Sequence, residues 1–155
     1  MIDKSALLEQ GKHFGRIFLD FLCEHQDFAN GRGGVRQELA EELLTIGQAE
    51  GLTEKANLTV TNIRNYRDGK HKIPYWMNLS SLILAAEKGF VVAHPADAIA
   101  LVATVIVSYT DSKEISLLGM MLFIEQKYKV SIPDEYVPVV QAYLEARDYH
   151  LQDTQ

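Results

Sequence analysis

Residues 54–70 have the sequence EKANLTVTNIRNYRDGK and contain the clearest local signals for secondary structure in the chain. Within it, Thr59 is a residue type that starts a helix, because its hydroxyl accepts a hydrogen bond from an exposed backbone N–H of the first turn. Ile63, four residues later, falls on the inward side of that helix. The dipeptide Asp68-Gly69 is typical of a helix end. The pattern therefore predicts a very short helix, Val60–Arg67, held to a core by one face.

The residues just before this helix predict a tight turn. Ala56 is small enough for two helices to approach closely, Asn57 tolerates the left-handed backbone that ends a helix, and Leu58 pins the turn to the core. We therefore expect a helix over Gln48–Ala56 that is joined directly to the short helix.

The outward side of the short helix carries side chains that can read DNA bases. Asparagine pairs with the N6 and N7 edge of adenine, arginine pairs with O6 and N7 of guanine, and valine or a threonine methyl contacts the thymine methyl. Polar and cationic side chains at its two ends lie where phosphates pass if the helix enters the major groove. The predicted base-reading residues are Val60, Thr61, Asn62, Arg64 and Asn65, and the predicted phosphate-binding residues include Thr59, Arg67, Lys70 and Lys72.

This combination resembles the helix-turn-helix of the Cro/CI repressor-like family, also called the XRE family. The similarity covers about residues 35–89, and the family's Thr, Ile, Tyr and Gly-Lys spacing, followed by a proline, fits without a gap from Glu54 to Lys70. The glutamine with which the family contacts phosphate aligns with Ala49, so the neighbouring Gln48 is the candidate for that contact. The resemblance implies a lambda repressor-like module in which Val35–Ile46 is helix 1, Gln48–Ala56 is helix 2, Val60–Arg67 is the recognition helix and Pro74–Lys88 is helix 4.

Helical spacing extends over most of the remaining chain. Apolar residues recur every three or four positions from Ser5 to Glu24, and further helices are predicted to begin at Pro95, near Lys113 and at Pro133. No second alternating run pairs with the β-branched segment 98–107, so we assign this segment to a helix. We predict an all-α protein with an N-terminal helix over 1–30, the helix-turn-helix module over 35–89, a C-terminal helical region over 95–149, and a polar tail that frays after Tyr149.

The charge of the chain is unevenly distributed. Its 155 residues carry 15 Lys plus Arg against 21 Asp plus Glu, a formal net charge of −6, which excludes a strongly basic nucleic-acid coat protein. Residues 52–76 nevertheless hold five basic and two acidic side chains, whereas both flanking segments are acidic. An acidic body with one basic face is expected to suppress indiscriminate DNA binding and to orient the approach of the reading face.

Other functional classes find little support in the residues. The five histidines are scattered and no His-Glu-x-x-His or Cys-x-x-Cys spacing occurs, so we predict no enzyme, no metal site and no cofactor. Cys23 is the one cysteine and is expected to be a small buried apolar residue. No apolar run approaches the roughly 20 residues that span a bilayer, so a cytoplasmic protein without a membrane partner is expected.

These features predict a sequence-specific, repressor-like DNA-binding regulator of bacterial or phage type. One helix-turn-helix covers only a half-site of double-stranded DNA, so we expect a homodimer, formed through either the first helix or the C-terminal region. The alternative is a protein-interaction module on the same fold, antitoxin-like or a phage inhibitor, which binds another protein through its acidic surface and does not read DNA.

Overall fold

The computed structural model is mostly helical, and it describes residue 5 and residues 15–31, 34–109 and 112–152. These residues fall into two compact units: an N-terminal unit, Gly15–Phe90, and a C-terminal unit from Val91 onward. The all-α prediction is confirmed at this coarse level, with one small two-stranded sheet added.

The N-terminal unit contains four helices in the residues that are described: α1 (Gly15–Glu24), α2 (Gln37–Ala49), α3 (Val60–Arg67) and α4 (Tyr75–Glu87). Helix α4 packs against both α1 and α2, and α3 lies against these same two helices through a smaller contact. The fully buried side chains that join them include Phe18, Leu22, Leu39, Leu43, Ile63, Met77 and Leu82. The predicted first helix is observed from Gly15 to Glu24, and its residues 6–14 lie outside the described part of the chain.

Helix α2 ends within the stretch assigned from sequence to the next helix. Gly51 has a left-handed φ of 69°, and the N–H of Leu52 donates to the Gly47 carbonyl at 2.8 Å. This arrangement satisfies a free carbonyl of the last turn and favours glycine, because a side chain would be strained at that φ. The predicted helix Gln48–Ala56 is therefore wrong, and residues 50–59 connect α2 to α3 without a helix.

The connection over residues 50–59, which we call the α2–α3 connection, differs from the predicted tight turn. Ala56 is exposed, and Asn57 does not have a positive φ. Leu58 is 4% exposed, so its predicted role as an anchor is confirmed. Side chains of α2 hold the connection in place: Gln37 Nε2 donates to the Leu58 carbonyl at 3.1 Å, and Gln48 Nε2 donates to the Lys55 carbonyl at 2.8 Å.

The C-terminal unit is built from α5 (Pro95–Tyr109), β1 (Glu114–Ile115), α6 (Leu117–Tyr128), a 3₁₀ turn (Asp134–Tyr136) that leads into α7 (Val137–Ala146), and β2 (His150–Leu151). Residues 98–106 lie within α5, so the prediction of a helix rather than a strand is confirmed. All nine residues are buried, which explains why this segment is apolar without interruption. The strands pair in parallel, with Glu114 opposite His150 and Ile115 opposite Leu151. The prediction of a frayed tail after Tyr149 is therefore wrong for residues 150–151.

Candidate nucleic-acid interface

Helix α3 begins with a reciprocal cap. The Thr59 hydroxyl oxygen accepts a hydrogen bond from the Asn62 N–H at 3.1 Å, and Asn62 Oδ1 accepts one from the Thr59 N–H at 3.0 Å. The predicted cap at Thr59 is confirmed. The side chain of Asn62, which accepts the second hydrogen bond of the cap, was not part of that prediction. An N-cap of this kind stabilises a helix by about 1 kcal/mol, a substantial contribution for a helix of two turns.

The other end of α3 is closed by a glycine turn that presents cations. Ile63 is fully buried, so the inner face of α3 is fixed. After Arg67 the chain turns at Gly69, whose φ is 77°, and the Lys70 N–H donates to the Asn65 carbonyl at 3.0 Å. The three residues that follow Gly69 are all exposed; they are Lys70, His71 and Lys72.

All five predicted base-reading residues lie on α3, with different exposure. Thr61, Asn62 and Arg64 are exposed, whereas Val60 and Asn65 are half-buried. The Arg64 guanidinium forms no hydrogen bond or ion pair with the described residues. Asn62 differs from Arg64 because its carbonyl oxygen already accepts the capping hydrogen bond.

The predicted phosphate-binding residues divide into two groups. Arg67 Nε donates to Asp20 Oδ1 at 3.1 Å, Gln48 donates to the α2–α3 connection, and the Thr59 hydroxyl caps α3. These three residues use polar atoms to hold the N-terminal unit together. Lys70 and Lys72 remain exposed in the loop after α3.

Helix α1 adds two charged residues that sequence reasoning missed. Asp20 pairs with Arg67, and Arg16 lies over the turn after α3, since a Cβ placed on Gly69 would be 2.6 Å from Arg16 Nη2. Both come from α1, which packs on α3 although the two helices are far apart in the sequence. Their one signal is their spacing of four residues, which puts two charges on one side of an amphipathic helix, but this spacing does not reveal their partner.

Cys23 lies in the core beside this ion pair. It is 3% exposed, which confirms the buried apolar role, and burial raises the pKa of its thiol to about 11, although the nearby Arg67 guanidinium lowers it in part. The thiol is therefore neutral at physiological pH and contributes packing rather than nucleophilic chemistry.

A second charged surface of the same unit is acidic. A shallow groove of about 480 Å³ has an apolar floor that includes Phe28 and Leu84. Lys88 Nζ donates to Asp27 Oδ2 at 2.9 Å at its edge, and this hydrogen bond lowers the pKa of Asp27 below its ordinary value. The carboxylates that line the groove are Asp27, Glu38, Glu41, Glu42 and Glu87.

The described residues contain no cluster of three or more His, Cys, Asp or Glu side chains suited to a metal ion. Over the same ranges, no helix combines the length and the apolar character needed to cross a bilayer. Comparison with protein-family models, curated proteins and solved structures finds no match to this chain.

Proposed function

We propose that the N-terminal unit is a DNA-binding module of the helix-turn-helix type and that the protein is a sequence-specific, repressor-like regulator. In this proposal α2 precedes the reading helix, α3 enters the major groove, and the α2–α3 connection is an extended form of the turn. The observation that supports it best is a short, capped and anchored helix whose exposed side carries Arg64 and whose last turn leads into exposed lysines.

Arg64 is the principal candidate for base reading, because its unpaired guanidinium can donate two hydrogen bonds to O6 and N7 of guanine. For adenine, an asparagine must offer both its carbonyl oxygen and its amide group. Asn62 already uses its oxygen in the cap, so Asn65 is the better adenine reader of the two. Val60 and Thr61 supply the methyl contacts that suit thymine.

The phosphate contacts fall mainly to the loop after α3. Lys70 and Lys72 are exposed, and Arg16 adds a third cation over Gly69. Arg67, Gln48 and Thr59 serve first to position α3. Because five carboxylates lie in the separate acidic groove, an approaching duplex is steered toward the face that carries the lysines.

Selection of bound fragments from random duplex DNA, followed by fluorescence-anisotropy titrations, tests the proposal. We expect an enriched palindrome, which reflects a homodimer with two reading helices roughly 34 Å apart. Arg64→Ala should weaken binding to that sequence by about 1–3 kcal/mol and leave binding to unrelated duplexes unchanged. If it weakens binding to all duplexes equally, Arg64 is a phosphate contact and the base-reading assignment is wrong.

The lysines have a different signature from Arg64. Lys70→Ala should lower affinity for every duplex and make the slope of log K against log salt shallower by about 0.9. Lys127→Ala, which removes an exposed cation from the C-terminal unit, is the matched control and should leave the slope unchanged. An unaltered slope in Lys70→Ala would contradict its phosphate role.

The acidic groove favours a second candidate function, a protein-interaction module that does not read DNA. Its carboxylates surround an apolar floor, which suits a basic segment of a partner protein. Two results together favour this candidate. A purified partner protein still binds tightly after the cations on and after α3 are neutralised together, and DNA selection yields no enriched sequence. The cations to be neutralised are Arg64, Arg67, Lys70 and Lys72.

A further inference from the structure

The exposed face of α3 ends in a carboxylate. Asp68 is the C-cap of α3, with a φ of −77° and a ψ of −5°, so its backbone is still right-handed helical. Its N–H donates to the Arg64 carbonyl at 2.9 Å, as in a regular helix. Asp68 is also the one acidic residue between Glu54 and Glu87. A single negative charge is thus placed one turn beyond Arg64.

Helical spacing puts Asp68 on the same face as the predicted base-reading residues. Successive residues of an α-helix are rotated by about 100°, so the direction of Asp68 differs by about 140° from that of the buried Ile63. Thr61 differs from Ile63 by about 160° and Arg64 by about 100°. Thr61, Arg64 and Asp68 are all exposed. A surface that presents Thr61 and Arg64 therefore presents Asp68 as well.

Interactions within the chain do not explain a carboxylate at this position. Over the described ranges, the Asp68 side chain forms no hydrogen bond or ion pair, although Arg64 precedes it by four residues and Lys70 follows it by two. A negative charge at the C-terminal end of a helix is also unfavourable, because the helix dipole is negative there. Side chains that break a local rule without a local gain are typical of functional sites.

The short length of α3 keeps Asp68 within reach of bases. Its eight residues give a helix about 12 Å long, which is about the width of the major groove, so both turns fit in the groove. Arg64 and Asp68 are separated by about 6 Å along the helix axis. Base pairs are stacked about 3.4 Å apart, so these two side chains reach base pairs that are at most about two steps apart.

A carboxylate in the major groove selects among the bases by accepting a hydrogen bond. Cytosine presents the N4 amino group, which is a donor. Guanine and thymine present acceptors at the corresponding edge, and the N6 donor of adenine lies beside the N7 acceptor. A base without a suitable donor would leave the carboxylate dehydrated and unpaired, which is unfavourable. Cytosine is therefore the base that suits Asp68 best.

We propose that Asp68 is a specificity-determining residue that reads a cytosine within about two base pairs of the guanine read by Arg64. This inference rests on the proposed DNA-binding function of α3, and it adds a base preference that the residues predicted from sequence do not supply. Lys70 and Lys72, which are exposed in the loop just after Asp68, offset the repulsion between its carboxylate and the DNA phosphates.

Parallel selection from random duplex DNA with the parent chain and with Asp68→Asn tests the proposal. Asparagine has the same shape and also suits a turn, so the variant should fold like the parent. The parent should enrich a half-site that contains the cytosine, and replacing this base should weaken its binding at least about fivefold. Asp68→Asn should prefer adenine at that one position, at least about fivefold over cytosine, because asparagine pairs with N6 and N7 of adenine. All other positions should keep their preferences.

Glu54→Gln is the matched control, since it removes an exposed carboxylate from the α2–α3 connection and should leave every base preference unchanged. Two results overturn the role of Asp68 and leave the DNA-binding proposal standing. In the first, Asp68→Asn tightens binding to all duplexes equally and keeps the parent preferences, which places the carboxylate against phosphates. In the second, the variant selects and binds the same sequences as the parent. A parent chain that enriches no sequence overturns both proposals.

Discussion

The ion pair between Arg67 and Asp20 makes a quantitative prediction about how α3 is held. Nε and Oδ1 are 3.1 Å apart, and the two side chains are 27% and 47% exposed. At a separation of 4 Å the Coulomb attraction is about 1 kcal/mol in water and about 4 kcal/mol at an effective dielectric constant of 20. Because both side chains remain in contact with solvent, the net contribution is far below the second figure. We expect a coupling free energy of about 0.5–1 kcal/mol.

A double-mutant cycle with Asp20→Asn, Arg67→Gln and the combined variant measures this coupling. Urea unfolding is followed by the fluorescence of Trp76, which is the only tryptophan and lies buried in α4 of the same unit. Arg67→Gln should lower the free energy of unfolding and leave the salt slope of DNA binding nearly unchanged. Lys70→Gln, at an exposed position, should leave the free energy of unfolding nearly unchanged and make the salt slope of DNA binding shallower.

A coupling below about 0.2 kcal/mol, together with a salt slope reduced by about 0.9 in Arg67→Gln, would refute this reasoning. Arg67 would then be a phosphate contact, as the sequence pattern alone predicts, and Asp20 a neighbour without energetic consequence.

Three further predictions concern the N-terminal unit. Gly47→Ala should lower its stability by about 1–3 kcal/mol and alter the Trp76 emission spectrum, because the added Cβ would lie 2.8 Å from Trp76 Cε3. The hydrogen bond from Lys88 lowers the pKa of Asp27 below its ordinary value of 3.8. This hydrogen bond therefore stabilises the folded protein fully at pH values well above 3.8, and the stabilisation is lost as the pH falls through the lowered pKa of Asp27 in the folded protein. Asp27→Asn should therefore flatten the pH dependence of the urea midpoint as the pH falls below about 5. Burial and a pKa of about 11 should make Cys23 react with iodoacetamide at least about tenfold more slowly in the folded protein than in urea at the same pH.

Local sequence chemistry was sufficient to predict α3. Its limits, the Thr59 cap and the buried Ile63 all follow from side chains within a few residues of one another. The helix starts near Pro74 and Pro95 were predictable for the same reason, since proline favours the first turn of a helix.

The predictions that failed depended on interactions between distant residues or on the choice between two local signals. The predicted helix Gln48–Ala56 spans Gly51, whose left-handed backbone instead lies just past the end of α2 and removes the predicted second helix. The contacts of Arg16 and Asp20 join α1 to a turn about fifty residues later, and periodicity carries no information about such pairings. The two-residue strands could not be predicted, because neither is long enough to show an alternating pattern.

The α2–α3 connection has a consequence for how readily the exposed surface of α3 can change. Two glutamine side chains of α2 and the buried Leu58 hold it, while most of its other residues face solvent. The entropic penalty of closing a flexible loop rises slowly with its length, so residues can be added or removed around Glu54 at little expense in stability. Since Leu58 and Ile63 supply the packing of α3, the exposed positions of that helix can diverge independently of the core. The unit therefore suits both natural diversification and grafting of new binding faces.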